Sequence, residues 1–208
     1  MSRDIAVPAV VVKLGGSLLE LEDLAARLRG LFLMLEKYGG IATVVGGGPA
    51  ADLVRRWDEQ KTFSDREAHW MAIRAMRLTE MLVAVRVPEC GSLEWERDEI
   101  REKLLYDQRV ILSIEPMLEA AGDESPPCPP ESWDVTSDTL SAWAAKHLGV
   151  SRLVLVKSVD APAGGIAEAA ERGLVDPVFE RTAEGLEVSW VNLRGEEIRV
   201  VRLASRGG

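Results

Sequence analysis

The sequence predicts a three-layer α/β/α domain built on a mostly parallel central sheet. Two observations carry the prediction. Apolar runs of strand length, residues 7–12, 41–45, 110–114 and 153–157, alternate with stretches whose apolar residues recur at helical spacing. The first two runs each open into a glycine cluster, Gly15-Gly16 and Gly46-Gly47-Gly48, at the positions of βα turns. With 208 residues, one sheet-based domain over 1–208 accounts for the chain.

Each element has a local reason. Residues 20–37 carry Leu21, Leu24, Ala25, Leu28, Leu31, Phe32 and Leu35 at helical spacing, and Tyr38-Gly39-Gly40 stops that helix. Strand, glycine turn, helix, glycine stop and strand make a βαβ unit with parallel pairing. Pro49 opens the next helix, which runs to Asp58. Ser64 and Glu67 have capping-box spacing ahead of a helix that reaches residue 85. Pro88 to Gly91 breaks the chain, and residues 116–121 form a short helix behind the third strand. Four prolines between Gly122 and Glu131 mark a surface loop. Thr136 or Ser137 caps a helix through Leu140, Trp143, Ala144 and Leu148, which Gly149 ends. Residues 164–173 are rich in small side chains and receive no assignment. Residues 186–191 and 197–203 alternate apolar and polar, and 192–196, with Gly195, fits a hairpin connection.

Composition narrows the function classes. The formal net charge is -9 and no basic run occurs, which argues against a nucleic-acid partner. Cys90 and Cys128 lack metal-ligand spacing and read as reduced thiols. The N-terminus has no signal-peptide pattern and no apolar stretch has membrane-spanning length, so a cytoplasmic protein without a membrane partner is expected.

The chemistry lies in short motifs. Lys13 stands at the end of the first strand, where open α/β sheets receive ligands, and Gly15-Gly16-Ser17 follow at once. Glycines lack Cβ, so their N–H groups can converge on phosphate oxygens. Gly46, Gly47 and Gly48, ahead of Pro49, read as a second anion cradle facing the substrate. The second cluster does not fit the dinucleotide pattern, and neither cluster fits the P-loop, because here the lysine precedes the glycines. Lys157 ends the fourth strand as Lys13 ends the first, and two ammonium groups over one crevice need a carboxylate between them. Asp138 is the candidate, although an aspartate at a helix start also serves simply as a partner of the helix dipole. Together these groups suit phosphoryl transfer, which depends on positioning and charge neutralisation.

Val12-Lys13-Leu14-Gly15-Gly16-Ser17, Gly46-Gly47-Gly48-Pro49, Thr136-Ser137-Asp138 and Val156-Lys157-Ser158-Val159-Asp160 resemble the motifs of the amino acid kinase family, in that family's order. The resemblance implies an amino acid kinase-like αβα sandwich, ATP with Mg²⁺, a small-molecule acceptor, and a homodimer or larger homo-oligomer. It implies that Lys13 and Lys157 stabilise the transferring phosphoryl group and that Asp138 positions both. Gly15, Gly16 and Ser17 then hold ATP phosphate, with Asp160 beside the nucleotide. Residues 1–121 supply the acceptor side and 132–208 the nucleotide side. A narrower likeness covers residues 47–55, Ser64-Asp65 with 68–76, and 133–138. It is to the branch of small kinases in methanopterin biosynthesis, which convert (5-(aminomethyl)furan-3-yl)methyl phosphate to its diphosphate. For such an acceptor, Gly46 to Gly48 suit the phosphate, and Asp52, Asp65, Asp134 or a tryptophan face suits the ammonium. His69 and Thr136 complete the candidate acceptor site, although a lone histidine and an aromatic at helical spacing, His69 and Trp70, are more often core packing. Arg55 fits either a phosphate contact or a solvated helix position. Isopentenyl phosphate or another phosphate monoester is the alternative acceptor, and a non-catalytic nucleotide-binding protein the alternative role. The chain departs from the family after Lys157, where Val159-Asp160-Ala161-Pro162 replaces Val-Asp-Gly and Asp176-Pro177 comes later.

Overall fold

The computed structural model describes residues 6–60, 63–122 and 125–204. Strand β1 (Ala9–Leu14) leads through α1 (Leu24–Leu35) to β2 (Gly40–Val45). Helices α2 (Gly48–Asp58) and α3 (Asp65–Arg86) follow, then β3 (Ser92–Glu94), α4 (Arg97–Leu105), β4 (Arg109–Leu112) and α5 (Ile114–Ala121). The remainder is α6 (Ser137–Leu148), β5 (Arg152–Lys157), α7 (Gly165–Glu171), α8 (Phe179–Thr182), β6 (Glu187–Asn192) and β7 (Val201–Arg202). The strands form one seven-stranded sheet in the order β3-β4-β2-β1-β5-β6-β7. Every pairing is parallel except β6 with β7.

Side-chain alternation along β1 and β5 explains where the site forms. Val10, Val12, Leu14, Val154 and Val156 face the core that packs α1. Ala9, Val11, Leu153 and Leu155 face the opposite core, which packs α4, α5, α6, α7 and α8. Lys13 and Lys157 fall on the second parity, so both emerge on the face carrying α6. The chain passes from β1 to β2 on one side and returns from α6 to β5 on the other. The carboxyl ends of β1 and β5 therefore flank a topological switch point, where open α/β sheets bind ligands.

The predicted αβα sandwich with a mostly parallel sheet is the observed architecture. The capping box at Ser64 forms, with Ser64 N donating to Glu67 Oε2 at 2.9 Å and Glu67 N to Ser64 Oγ at 3.3 Å. Thr136 is the cap of α6, and Gly149 ends that helix at φ 71°. Other boundaries are corrected. The helix expected over 20–37 begins only at Leu24, because Arg86 holds the carbonyls of Leu19 and Leu21 and keeps that turn out of the helix. The strand expected over 110–114 stops at Leu112, and Ile114 opens α5, where the buried Glu80 carboxylate accepts its N–H at 3.2 Å. Burial pushes the Glu80 carboxyl up to about 7. Residues 164–173 contain α7, and the last strand shortens to two residues. Within the expected loop 122–131, residues 123–124 lie outside the described residues.

Candidate active site

At the carboxyl edge of β1 and β5 lies a crevice of about 690 Å³. Lys13 and Lys157 meet there over Asp138, the second residue of α6. Lys13 Nζ lies 2.9 Å from Asp138 Oδ1, and Lys157 Nζ donates to Asp138 Oδ2 at 2.8 Å. Lys157 Nζ also donates to Leu174 O at 2.7 Å and sits 5.6 Å from the centre of the Trp190 ring. Burial opposes the Asp138 charge, yet the two ammonium groups hold its carboxyl below the usual range. Burial and the neighbouring Lys13 charge bring Lys157 down to about 8, against the pull of Asp138.

The two glycine clusters are built against each other. A Cβ on Gly16 would stand 2.2 Å from Gly48 N, and one on Gly46 would stand 2.9 Å from Gly16 N. Gly48 has φ +49°, a conformation that favours glycine. Close approach of the two backbones accounts for glycine at positions 16, 46 and 48. Gly15 N is used by Val156 O and Gly46 N by Leu14 O, both at 2.8 Å. No hydrogen bond among the described residues engages the N–H groups of Gly16, Ser17, Gly47 or Gly48, all of which line the crevice. Gly16→Ala is expected to force the loops apart and to lower turnover by about 10²-fold, as misplacement near 1 Å does. Steady-state kinetics beside a melting curve measure this.

Lys13, Gly16, Ser17, Gly46, Gly47, Gly48, Asp52, Thr136, Asp138 and Lys157 all line this crevice. Gly15, His69, Asp134 and Asp160 do not. Gly15 continues the β1–β5 ladder. His69 is buried, edge-on to Trp70, with Nδ1 3.1 Å from Ser132 O, so it fastens α3 to the segment before α6. Asp134 is exposed. Asp160 is exposed and accepts from Asn192 Nδ2 at 2.8 Å, tying the loop after β5 to the end of β6.

Among the crevice residues that received no site assignment from the sequence are Asp176, Trp133 and Arg194. Asp176 is buried and accepts from Thr136 N (3.0 Å), Thr136 Oγ1 (2.8 Å), Thr139 N (3.1 Å), Thr139 Oγ1 (2.6 Å) and Val178 N (3.1 Å). It thereby anchors the first turn of α6, from which Asp138 projects. Trp133, whose Nε1 donates to Asp58 Oδ2 at 2.6 Å, forms a wall beside Arg55. Arg194, from the turn after β6, faces the Gly16-Ser17 loop. The Asp-Pro pair at 176–177 was a signal for Asp176 and the likeness over 133–138 a signal for Trp133, while Arg194 had none.

A family model described as the amino acid kinase family matches residues 8–161. The chain belongs to the amino acid kinase family. Among curated proteins, the [5-(aminomethyl)furan-3-yl]methyl phosphate kinase of Methanocaldococcus jannaschii is 28% identical over 160 residues, 72% of this chain and 66% of that protein. The match thus spans just under two thirds of the relative's length. Among solved structures, uridylate kinase from Archaeoglobus fulgidus aligns with a TM-score of 0.60 at 18% identity, covering 91% of this chain and 97% of that one. UMP kinase from Ureaplasma parvum aligns with a TM-score of 0.65 at 13% identity, covering 91% and 92%. These structures share the amino acid kinase fold with this chain.

Proposed function

We propose that the chain is an ATP-dependent kinase that phosphorylates the phosphate of (5-(aminomethyl)furan-3-yl)methyl phosphate to the diphosphate. The observation that carries the chemistry is the Lys13–Asp138–Lys157 bridge at the meeting of two glycine loops. An oxygen of the acceptor phosphate forms the new bond to the γ-phosphorus. The bond from that phosphorus to the β-bridging oxygen breaks, and its electron pair leaves with ADP. A phosphate monoester has its second pKa near 6, so the attacking oxygen is already ionised at neutral pH and needs no general base. That suits a site whose central carboxylate is held by two lysines. Lys13 and Lys157 neutralise charge on the moving phosphoryl group, and the N–H groups of Gly16, Ser17, Gly47 and Gly48 receive the flanking phosphates.

Among the described residues no group of three or more His, Cys, Asp or Glu is arranged to hold a metal. The residues therefore suit a Mg²⁺ carried by the nucleotide phosphates and water, which when bound would neutralise phosphate charge. Residues up to 121 supply the acceptor side and 132–208 most of the nucleotide side. Ala72, Ile73, Met76 and Trp133 offer a wall for a flat ring, and Asp52 lies on the same side for an ammonium. The name of the Methanocaldococcus relative supports this acceptor. Exposed Leu78, Met81, Leu82 and Val85 on α3 support a homodimer or larger homo-oligomer. We place the enzyme in the cytoplasm.

Incubation with ATP and the furan phosphate is expected to yield ADP and the diphosphate, with isopentenyl phosphate assayed in parallel. Turnover of isopentenyl phosphate alone would overturn the acceptor assignment. The pH dependence has a definite sign. Lys157 must be protonated to stabilise the phosphoryl group, and its pKa is lowered to about 8. The kcat/KM for ATP is therefore expected to fall as pH rises through about 8. Bound phosphate favours the charged lysine, so the fall in kcat should lie at higher pH.

A further inference from the structure

Four cationic side chains line the crevice: Lys13, Arg55, Lys157 and Arg194. Lys13 and Lys157 share Asp138, and Arg55 pairs with Asp52 at 2.5 Å. Arg194 has no ion pair among the described residues. Its guanidinium makes one hydrogen bond there, from Nη2 to Ser17 O at 3.0 Å. A guanidinium carries five N–H donors, so most remain for a ligand.

The backbone beneath Arg194 is tied on both sides. Asn192 stands opposite Lys157 in the β5–β6 register, which sets Arg194 two residues beyond, over the same carboxyl edge. Leu193 N donates to Lys157 O at 2.9 Å, and Arg194 N donates to Asn192 Oδ1 at 2.9 Å. Arg27 Nη1 donates to the carbonyls on either side, Leu193 O at 3.0 Å and Gly195 O at 2.9 Å, and Asp23 holds Arg27 at 2.7 Å. This clamped turn aims the guanidinium at the loop whose Gly16 and Ser17 N–H groups are unengaged.

We infer that Arg194 is a substrate-contacting residue that closes over the polyphosphate chain of the donor nucleotide, opposite the lysine pair. The inference rests on the phosphoryl-transfer reading of the crevice. Lys13, Lys157 and Asp138 together offer one net positive charge, which is small against a triphosphate. Arg194 adds a second charge that no carboxylate of the described residues neutralises. Its planar fork suits two phosphate oxygens at once, which a lysine point charge cannot match.

The test is calorimetric titration of the whole chain, wild type, Arg194→Ala and Arg194→Lys, with ATP, inorganic tripolyphosphate and adenosine. Arg194→Ala is expected to weaken ATP and tripolyphosphate by a similar factor, about 10- to 100-fold. Adenosine affinity and the ligand-free melting temperature should stay as in the wild type. Arg194→Lys should recover part of the loss, and KM for ATP should rise more than kcat falls. Unchanged ATP and tripolyphosphate affinity in Arg194→Ala overturns the inference. So does an equal loss of adenosine binding with a lower melting temperature, which would make Arg194 a staple of its turn. If tripolyphosphate binding depends on Arg194 but the furan phosphate is not phosphorylated, the acceptor assignment fails and the clamp stands.

Discussion

Replacing Asp138 with asparagine is expected to lower kcat by about 10³-fold, and Lys13→Ala or Lys157→Ala by about 10²- to 10³-fold each. Asp138 is the counter-charge that lets two ammonium groups share a buried edge. An amide keeps the shape but not the charge. Lys157, already brought down to about 8, loses the pull of that charge and is expected to give up its proton at lower pH, which weakens the cation pair. The alkaline fall of the residual kcat/KM should move to lower pH in Asp138→Asn. The lysine variants remove one cation outright and leave the carboxylate paired with the other. Single-turnover ADP release, with a melting curve for each variant, separates lost chemistry from lost fold. Normal turnover in both lysine variants would refute the transfer mechanism.

Asp176→Ala should carry the largest cost in stability, about 3 kcal/mol or more. Five hydrogen bonds end on this buried carboxylate, and Thr139, fully buried, has no other acceptor for its hydroxyl among the described residues. Its loss leaves donors at the first turn of α6 unpaired and frees the turn that carries Asp138. Turnover should fall with stability. Asp176→Asn, which keeps one acceptor oxygen, should lose less of both. Denaturant unfolding read beside kcat checks this. An Asp176→Ala protein with unchanged stability would show that α6 is held by its packing alone.

The fold was legible because its signals are local and agree with one another. Buried parallel strands read as unbroken apolar runs, as β1, β2 and the middle of β5 do. The Ser64 box, the Thr136 cap and Gly149 marked helix ends by chemistry that needs no tertiary partner. What escaped was decided by distant contacts. Edge strand β3 has three residues and little burial, so its pattern is too short to read. The start of α1 depends on Arg86, more than sixty residues away in sequence. Lys13 and Lys157 could be grouped from the sequence as strand-end lysines over one crevice, whereas spacing left Asp138 equally a partner of the helix dipole, and its place between them came from the family resemblance. Asp176 was visible only as half of an Asp-Pro pair and Arg194 not at all, since nothing local says that residue 176 reaches α6 or that residue 194 reaches Ser17.

The most direct measurement is a crystal structure with a non-hydrolysable ATP analogue. The terminal phosphate is expected within hydrogen-bond distance of Lys13 Nζ and Lys157 Nζ, with the preceding phosphates on the N–H groups of Gly16 and Ser17. An analogue bound with its phosphates away from both lysines, or outside the crevice, would contradict phosphoryl transfer at this site.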